Sequence, residues 1–302
     1  MNLVQVLING LITSAELAII AIGLTMTFSV LRFANFAHTE TAVVGAYLAL
    51  LFNVSFGWSL ALSMAAAVVL TGLAGIGLYL GVFRIFRDKG DVAPMIASLG
   101  IAIAIRNLIQ AIWGPQILRY DYEIEPGLNV FGGFVTRPQL GILVTVPLAM
   151  VAFHALLQYT QLGKAMRATA ANPELAQASG IDTGRIIRLV WFIGSAFAAL
   201  GGALLAWDTQ LDPQLGFVIV IPVFACVLIG GVGSIYGAIF GALIVGIGQN
   251  LLVSLDFGEL AAQFAPVTRD WSVPAAYKPA VVYVAVILLL LLRPSGLMRK
   301  EA

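Results

Sequence analysis

Charge is scarce in this chain of 302 residues. Only 10% of its residues are Asp, Glu, Lys or Arg, whereas 60% are hydrophobic. A soluble domain carries about 25% charged residues, so a water-soluble fold would be left with far too much exposed apolar surface. The sequence also lacks a run of basic residues, which gives no reason to expect a nucleic-acid partner. A lipid bilayer is the environment that this composition fits.

Cysteine and histidine are almost missing, with one and two copies respectively. The single Cys226 excludes an intrachain disulfide and a metal site built from several cysteines. His38 and His154 lie far apart in the sequence, so no cluster of nucleophiles or metal ligands indicates a membrane-embedded enzyme. We therefore expect no catalytic residue, no metal and no cofactor in this chain.

Long apolar stretches are what the sequence has in abundance. The charge-free stretch between Glu40 and Arg84 is long enough for two spans of about 20 residues. Asn53–Gly57 supplies a turn signal between them. A glycine-rich run divides a second such stretch, Pro213–Leu255. Further spans are predicted at Val4–Leu31, Val92–Trp113, Leu140–Gln158, Leu189–Trp207 and Pro279–Leu292. The prediction is one all-α transmembrane domain over residues 1–302, with about eight to nine membrane-spanning helices.

Basic residues indicate which ends of these helices face the cytoplasm, because cytoplasmic loops are enriched in Lys and Arg. They form three groups: Arg84, Arg87 and Lys89; Lys164, Arg167, Arg185 and Arg188; Arg293, Arg299 and Lys300. Acidic residues collect in the alternating loops, around Glu123, Asp212 and Glu259. The pattern predicts a cytoplasmic C-terminus.

The polar segment 159–188 is too long for a passive connection on the cytoplasmic side. Asn172 is a good N-cap, Pro173 suits the first helical position, and Glu174 lies in the first turn. Gly180 is a stop signal, so a short exposed helix is predicted before it. This helix could dock into a groove on a partner, or it could lie on the lipid surface. Its many alanines favour protein contact, because a lipid-surface helix needs a strong apolar stripe with basic flanks.

Three stretches carry a resemblance to a known family. They are QLGKAMRATAANPELAQASGI (residues 161–181), VLRFANFAHTETAVVGAYLA (Val30–Ala49) and VLIGGVGSIYGAIFGALIVG (Val227–Gly246). Together they resemble the LivH/LivM-type permeases, the membrane subunits of branched-chain amino acid ABC importers, and they occur in the order expected of that family. One departure is Thr39, which stands where the family usually has glycine after the histidine and places a Cβ in the local turn.

The resemblance implies a multi-pass subunit of the bacterial inner membrane. A second homologous permease would complete the translocation path, two cytoplasmic ATPase subunits would bind ATP and Mg²⁺, and a periplasmic binding protein would deliver the solute. Branched-chain amino acids are the default solute, and relatives that carry urea, amides or aromatic acids are an alternative. The helix at Asn172–Ser179 would be the coupling helix that meets the ATPase. The implied coupling residues are Lys164, Arg167, Asn172, Pro173, Glu174, Ala176, Gly180 and Ile181.

A second set of residues is a candidate lining of the path. Polar and ionisable groups at membrane depth are costly and tend to mark function. The set comprises Asn35, His38, Glu40, Gly45, Gly230, Gly231, Gly233 and Ser234. The alternative is a purely structural role, in an interfacial turn where His38 caps backbone carbonyls and Glu40 pairs with Arg32. For the glycines, the structural alternative is close helix packing.

Glu16 and Arg106 lie inside otherwise apolar spans. They could pair with each other, or each could face a watery cavity. A secondary transporter driven by H⁺ or Na⁺ is a rival hypothesis, and it would need carboxylates near the midplane. Glu16 alone gives that rival little support.

Overall fold

The computed structural model describes residues 3–86, 90–123, 125–130, 132–254 and scattered positions between 280 and 298. Among the described residues, ten α-helices and one two-stranded hairpin have defined bounds. The helices are α1 (Leu3–Leu31), α2 (Ala37–Leu50), α3 (Leu60–Gly81), α4 (Val92–Trp113), α5 (Arg137–Tyr159), α6 (Gln161–Ala171), α7 (Pro173–Ala178), α8 (Thr183–Asp208), α9 (Leu215–Gly230) and α10 (Ile235–Ser254). The hairpin pairs β1 (Leu128–Val130) with β2 (Gly133–Val135).

Six of the helices are long and apolar enough to cross a membrane: α1, α3, α4, α5, α8 and α10. The apolar helix α9 is shorter, and α2 is extended by a π-helical turn, Leu51–Ser55. The all-α polytopic fold predicted from the sequence is therefore confirmed. Of the predicted span Pro279–Leu292, half of the positions are described, and these are helical.

Helices α1 and α8 form the centre of the bundle. Helix α1 packs against α8 and α10, and α8 packs against α2 and α3. Their buried side chains include Ile19, Ile20, Trp191 and Leu204. This central position explains why the middle stretches of both helices are mostly apolar and buried.

Small residues allow the central helices to approach closely. The Cα of Gly45 on α2 faces Ala199 on α8, and a Cβ at Gly202 would collide with the backbone of Ala42. A Cβ at Gly23 would lie 2.6 Å from the carbonyl oxygen of Gly194. In lipid, such contacts drive helix association through van der Waals packing, since lipid tails are as apolar as the side chains.

Helices α4 and α5 lie at the periphery and expose apolar side chains. The exposed set includes Ile96, Ile103, Leu108 and Ile112 on α4 and Val144, Leu148 and Val151 on α5. In water such a surface would be an aggregation hazard, whereas lipid or a partner subunit covers it at no cost.

One end of the bundle is covered by the segment between α4 and α5. Leu118 forms a backbone bridge with Leu211 before α9, and the buried Tyr120 hydroxyl donates to the Ala46 carbonyl at 3.0 Å. Burial raises the pKa of Tyr120, so the phenol stays neutral and acts as a donor. The predicted turn at Asn53–Gly57 begins later than expected. Asn53 is still helical, and its Oδ1 accepts from the Asp121 amide at 2.7 Å.

Candidate functional site

The short helix α7 is built as the sequence predicts. The Asn172 side chain accepts a hydrogen bond from the Leu175 amide at 3.0 Å, and Pro173 occupies the first helical position. Gly180 has φ +86°, a conformation that glycine adopts without steric cost. The Ile181 amide then bonds to the Ala176 carbonyl and the Gly180 amide to the Gln177 carbonyl, both at 3.0 Å. This pair of bonds is a Schellman motif, which fixes where the helix stops.

One of the predicted coupling residues does not lie on the exposed face of α7. Ala176, a predicted coupling residue, is only 4% exposed, so it faces the bundle and cannot be a surface contact. Leu175 is 65% exposed, and Glu174 and Gln177 are exposed beside it. The exposed leucine was missed because alanine spacing alone does not tell which side of a six-residue helix is anchored.

A second helix, α6, precedes α7 and was also missed. Thr160 caps it by accepting from the Gly163 amide at 3.0 Å. Its buried residues Gly163, Met166 and Thr169 recur every three residues and form one face. Lys164 and Arg167 lie on the exposed side, and an Arg167 Nη1 donates to the Leu157 carbonyl at the end of α5. The signal was available in the Thr cap and this spacing.

A cavity of about 510 Å³ adjoins α7. Its walls come from the end of α1, the turn Phe83–Phe86, the start of α4 and residues 171–174. Arg32, at the rim, has φ +60° and is the one non-glycine residue with positive φ among the described positions. The α7 end of the bundle is therefore a recessed surface with an exposed apolar knob at its edge.

The predicted path residues at the start of α2 are buried. Asn35 accepts from the Ala37 amide at 3.2 Å, and His38 Nε2 lies 3.0 Å from the Ile20 carbonyl oxygen on α1. His38 thus contacts a backbone carbonyl, as the structural alternative predicts. The contact lies inside the bundle and not in an interfacial turn. Thr39 is helical and buried, so its Cβ causes no strain in the backbone.

Glu40 forms an ion pair with Arg106 on α4. The Arg106 Nε donates to Glu40 Oε1 at 3.1 Å, and Nη2 donates to the same oxygen. The two ion pairs suggested from the sequence are wrong: Glu40 does not pair with Arg32, and Arg106 does not pair with Glu16. The sequence could not select this pair because the two residues are 66 positions apart and lie on different helices.

Two residues of α9 lie against this ion pair. The Arg106 guanidinium carbon lies 4.9 Å from the centroid of the Phe217 ring, within the range of a cation–π contact. A Cβ at Gly216 would lie 2.6 Å from Glu40 Oε2, so only glycine leaves room for the carboxylate. Neither residue carries a sequence signal that marks it as functional.

Glu16 stands apart from the ion pair. It is the fourteenth of 29 residues in α1 and is 6% exposed. Its Oε1 has no hydrogen-bond partner among the described residues. It lines a cavity of about 160 Å³ together with Thr13, Ile219 and Gln249.

The predicted glycines between α9 and α10 divide into two groups. Gly230 packs directly on the backbone of Gly237, so its role within the chain is close packing of the α9–α10 hairpin. Gly231 and Gly233 have φ +101° and +87° and form the turn itself. Ser234 accepts from the Gly237 amide at 3.0 Å and starts α10. Gly45 likewise lies in the α2–α8 contact, not on an open surface.

The apolar bundle with its six long apolar helices defines a multi-pass membrane protein. The family of "Branched-chain amino acid transport system / permease component" proteins matches residues 6–291. The chain belongs to this family.

Several curated relatives extend over nearly all of the chain. The high-affinity branched-chain amino acid transport system permease LivH of Escherichia coli K12 is 29% identical over 309 residues, covering 97% of this chain and 94% of that protein. BraD of Pseudomonas aeruginosa is 28% identical, over 97% of this chain and 95% of its own length. A probable LivH of Methanocaldococcus jannaschii is 32% identical, over 82% of this chain and 80% of its own length. No solved structure shows a significant match.

Proposed function

We propose that this chain is the permease subunit of an ATP-driven importer for branched-chain or related amino acids. It forms the translocation path together with a second homologous permease. Two cytoplasmic ATPase subunits bind ATP and Mg²⁺ and drive the change in access, and a periplasmic binding protein delivers the solute. The chain itself performs no covalent chemistry.

The observation that carries this proposal is the construction of α7. A helix of six residues has little intrinsic stability in water. Here an Asn cap, a proline and a Schellman stop hold it, and buried Ala176 anchors it to the bundle. The construction leaves Glu174, Leu175 and Gln177 projecting from the end of the molecule. A rigid knob of this kind suits the transfer of a push from a partner protein.

Charge placement supports a cytoplasmic position for α7. Lys164, Arg167 and Arg185 are exposed around it, whereas Asp121 and Glu123 lie in the segment before the hairpin, where α5 starts. Helix α5 runs from that hairpin to α6, so the two groups lie at opposite ends of the bundle. The excess of Lys and Arg supports a cytoplasmic position for the α7 end, and the basic residues Arg293, Arg299 and Lys300 support the same side for the C-terminus.

Reconstitution tests the function directly. The complete complex in proteoliposomes, supplied with leucine-loaded binding protein, is expected to accumulate leucine only when ATP is present on the α7 side. Uptake that is indifferent to ATP but abolished by an ionophore would favour an ion-coupled secondary transporter. Normal ATP-driven uptake of urea, an amide or an aromatic acid, without leucine uptake, would keep the importer class and replace the solute.

A further inference from the structure

We infer that Arg106, held in place by Glu40, binds the carboxylate of the amino-acid solute on the face of α4 and α9 that borders the translocation path. The inference deepens the proposed function and rests on it. It identifies a binding residue and a face of the chain, neither of which follows from family membership.

Arg106 lies at membrane depth. It is the fifteenth of 22 residues in α4, well inside an apolar span, and its side chain is 19% exposed. A guanidinium group exposed to hydrocarbon is costly, and charged residues in spans almost always face a bundle interior or a water-filled cavity. Glu40 meets this requirement on the bundle side of Arg106, and water or a partner subunit would meet it on the exposed side.

A polar residue and an aromatic residue lie close to Arg106. Gln110 lies one turn further along the same face of α4 and is partly exposed. Phe217 on α9 is 60% exposed and lies against the guanidinium. Polar groups with one exposed aromatic ring suit a small solute that has a charged head and an apolar side chain.

The Arg106 guanidinium uses only part of its hydrogen-bonding capacity within the chain. A guanidinium has five N–H donors. Two of them, on Nε and Nη2, go to the same oxygen of Glu40. The remaining three have no protein acceptor among the described residues, so they are free to take a carboxylate. A carboxylate binds a guanidinium by two parallel hydrogen bonds, which gives direction as well as strength.

Glu40 acts as a positioning residue in this arrangement. It is 1% exposed and cannot itself meet the solute in this conformation. Its carboxylate balances the charge of Arg106 between solutes, which allows a cation to remain at membrane depth. Gly216 leaves the space that this carboxylate occupies.

Kinetics separate this role from a purely structural ion pair. The double variant Glu40→Gln/Arg106→Gln removes both charges, so it leaves no unpaired charge inside the bundle. The assembled complex carrying it is expected to form in normal amount but to lose at least tenfold in ATP-driven leucine uptake, mainly through a raised KM. Arg106→Lys keeps the charge without the planar fork and should show a smaller loss. Wild-type KM and rate in the double variant would overturn the inference.

Thiol labelling tests the same face without disturbing the ion pair. The native Cys226 is fully buried, so the wild-type background is silent. A cysteine at Gln110, one turn from Arg106, should react with a water-soluble, charged thiol reagent, whereas one at the exposed Leu148 on α5 should not, because lipid or a partner subunit covers that apolar surface. Equal, low reactivity at both positions in a complex that still transports would count against the Arg106 site alone. Absence of ATP-driven uptake in the unaltered complex would instead count against the proposed function.

Discussion

At the scale of single residues, burial determines what each ionisable group contributes. Each of the two buried carboxylates has one oxygen without a hydrogen-bond partner among the described residues, but Glu40 is paired with Arg106 through its other oxygen, whereas Glu16 has no ion pair there. A lone ionised carboxylate at membrane depth is unfavourable, and it is stabilised by a proton or by a bound cation. The two carboxylates therefore have different mutational consequences, although both look alike in the sequence.

Replacing Glu16 by Gln tests whether this carboxyl group carries a coupling ion. The amide has nearly the same shape and no charge, so Glu16→Gln should leave the amount of complex and ATP-driven uptake within about twofold of wild type. Uptake and expression are measured side by side. Loss of transport with normal expression would revive the ion-coupled mechanism.

Gly216 offers a second test at this scale. A methyl group at this position meets the Glu40 carboxylate at less than 3 Å, and overpacking of this kind costs about 1–3 kcal/mol. Gly216→Ala should lower the thermal stability of the complex and reduce uptake. Gly248→Ala is the matched control, because no atom lies within 4 Å of a Cβ at Gly248. Equal stability of the two variants would show that the Glu40 carboxylate is free to move away.

At the scale of helices, the sequence predicts where the elements lie better than it predicts their contacts. The bounds of α4 are as expected from the apolar pattern, and the cap and stop of α7 follow from Asn172, Pro173 and Gly180. These signals are local. The partner of Arg106, the burial of Ala176 and the docking of Asn53 on Asp121 depend on residues far apart in the chain, and no local pattern encodes them.

The contact between α2 and α8 can be tested at this scale. A Cβ at Gly202 would collide with the Ala42 carbonyl, whereas a Cβ at Gly77 on α3 meets nothing within 4 Å. Gly202→Val should therefore separate the two helices and abolish assembly, while Gly77→Val should assemble normally. Detergent-solubilised complexes are compared by size-exclusion chromatography. Normal assembly of the Gly202 variant would contradict the observed packing.

At the scale of the whole molecule, the fold places a rigid helix at one end and a closed cover at the other. The cover is held by the Leu118–Leu211 bridge and the hydrogen bond from Tyr120. The two ends are joined through the central helices α1 and α8, which contact most of the other elements. Helix α8 contacts both α7 and α2, so it connects the α7 end with the helix that carries Glu40.

Sidedness follows from this arrangement. A cysteine at Asn129 in the hairpin should react with an impermeant thiol reagent added to intact cells whose outer membrane has been opened. A cysteine at Gln177 on α7 should react only after the inner membrane is permeabilised, because the proposed function requires α7 on the cytoplasmic side, in agreement with the basic residues around it. Reaction in the opposite order would invert the orientation.

The most direct test of the coupling role is a site-specific crosslink from α7. A cysteine replacing Leu175, joined by a short thiol crosslinker to the purified assembled complex, should bond to the ATP-hydrolysing subunit and to no other chain. Leu148→Cys on α5 is the control and should give no such product. A crosslink from Leu175→Cys to the binding protein, or none to an ATPase in a complex that transports, would contradict the docking role of α7.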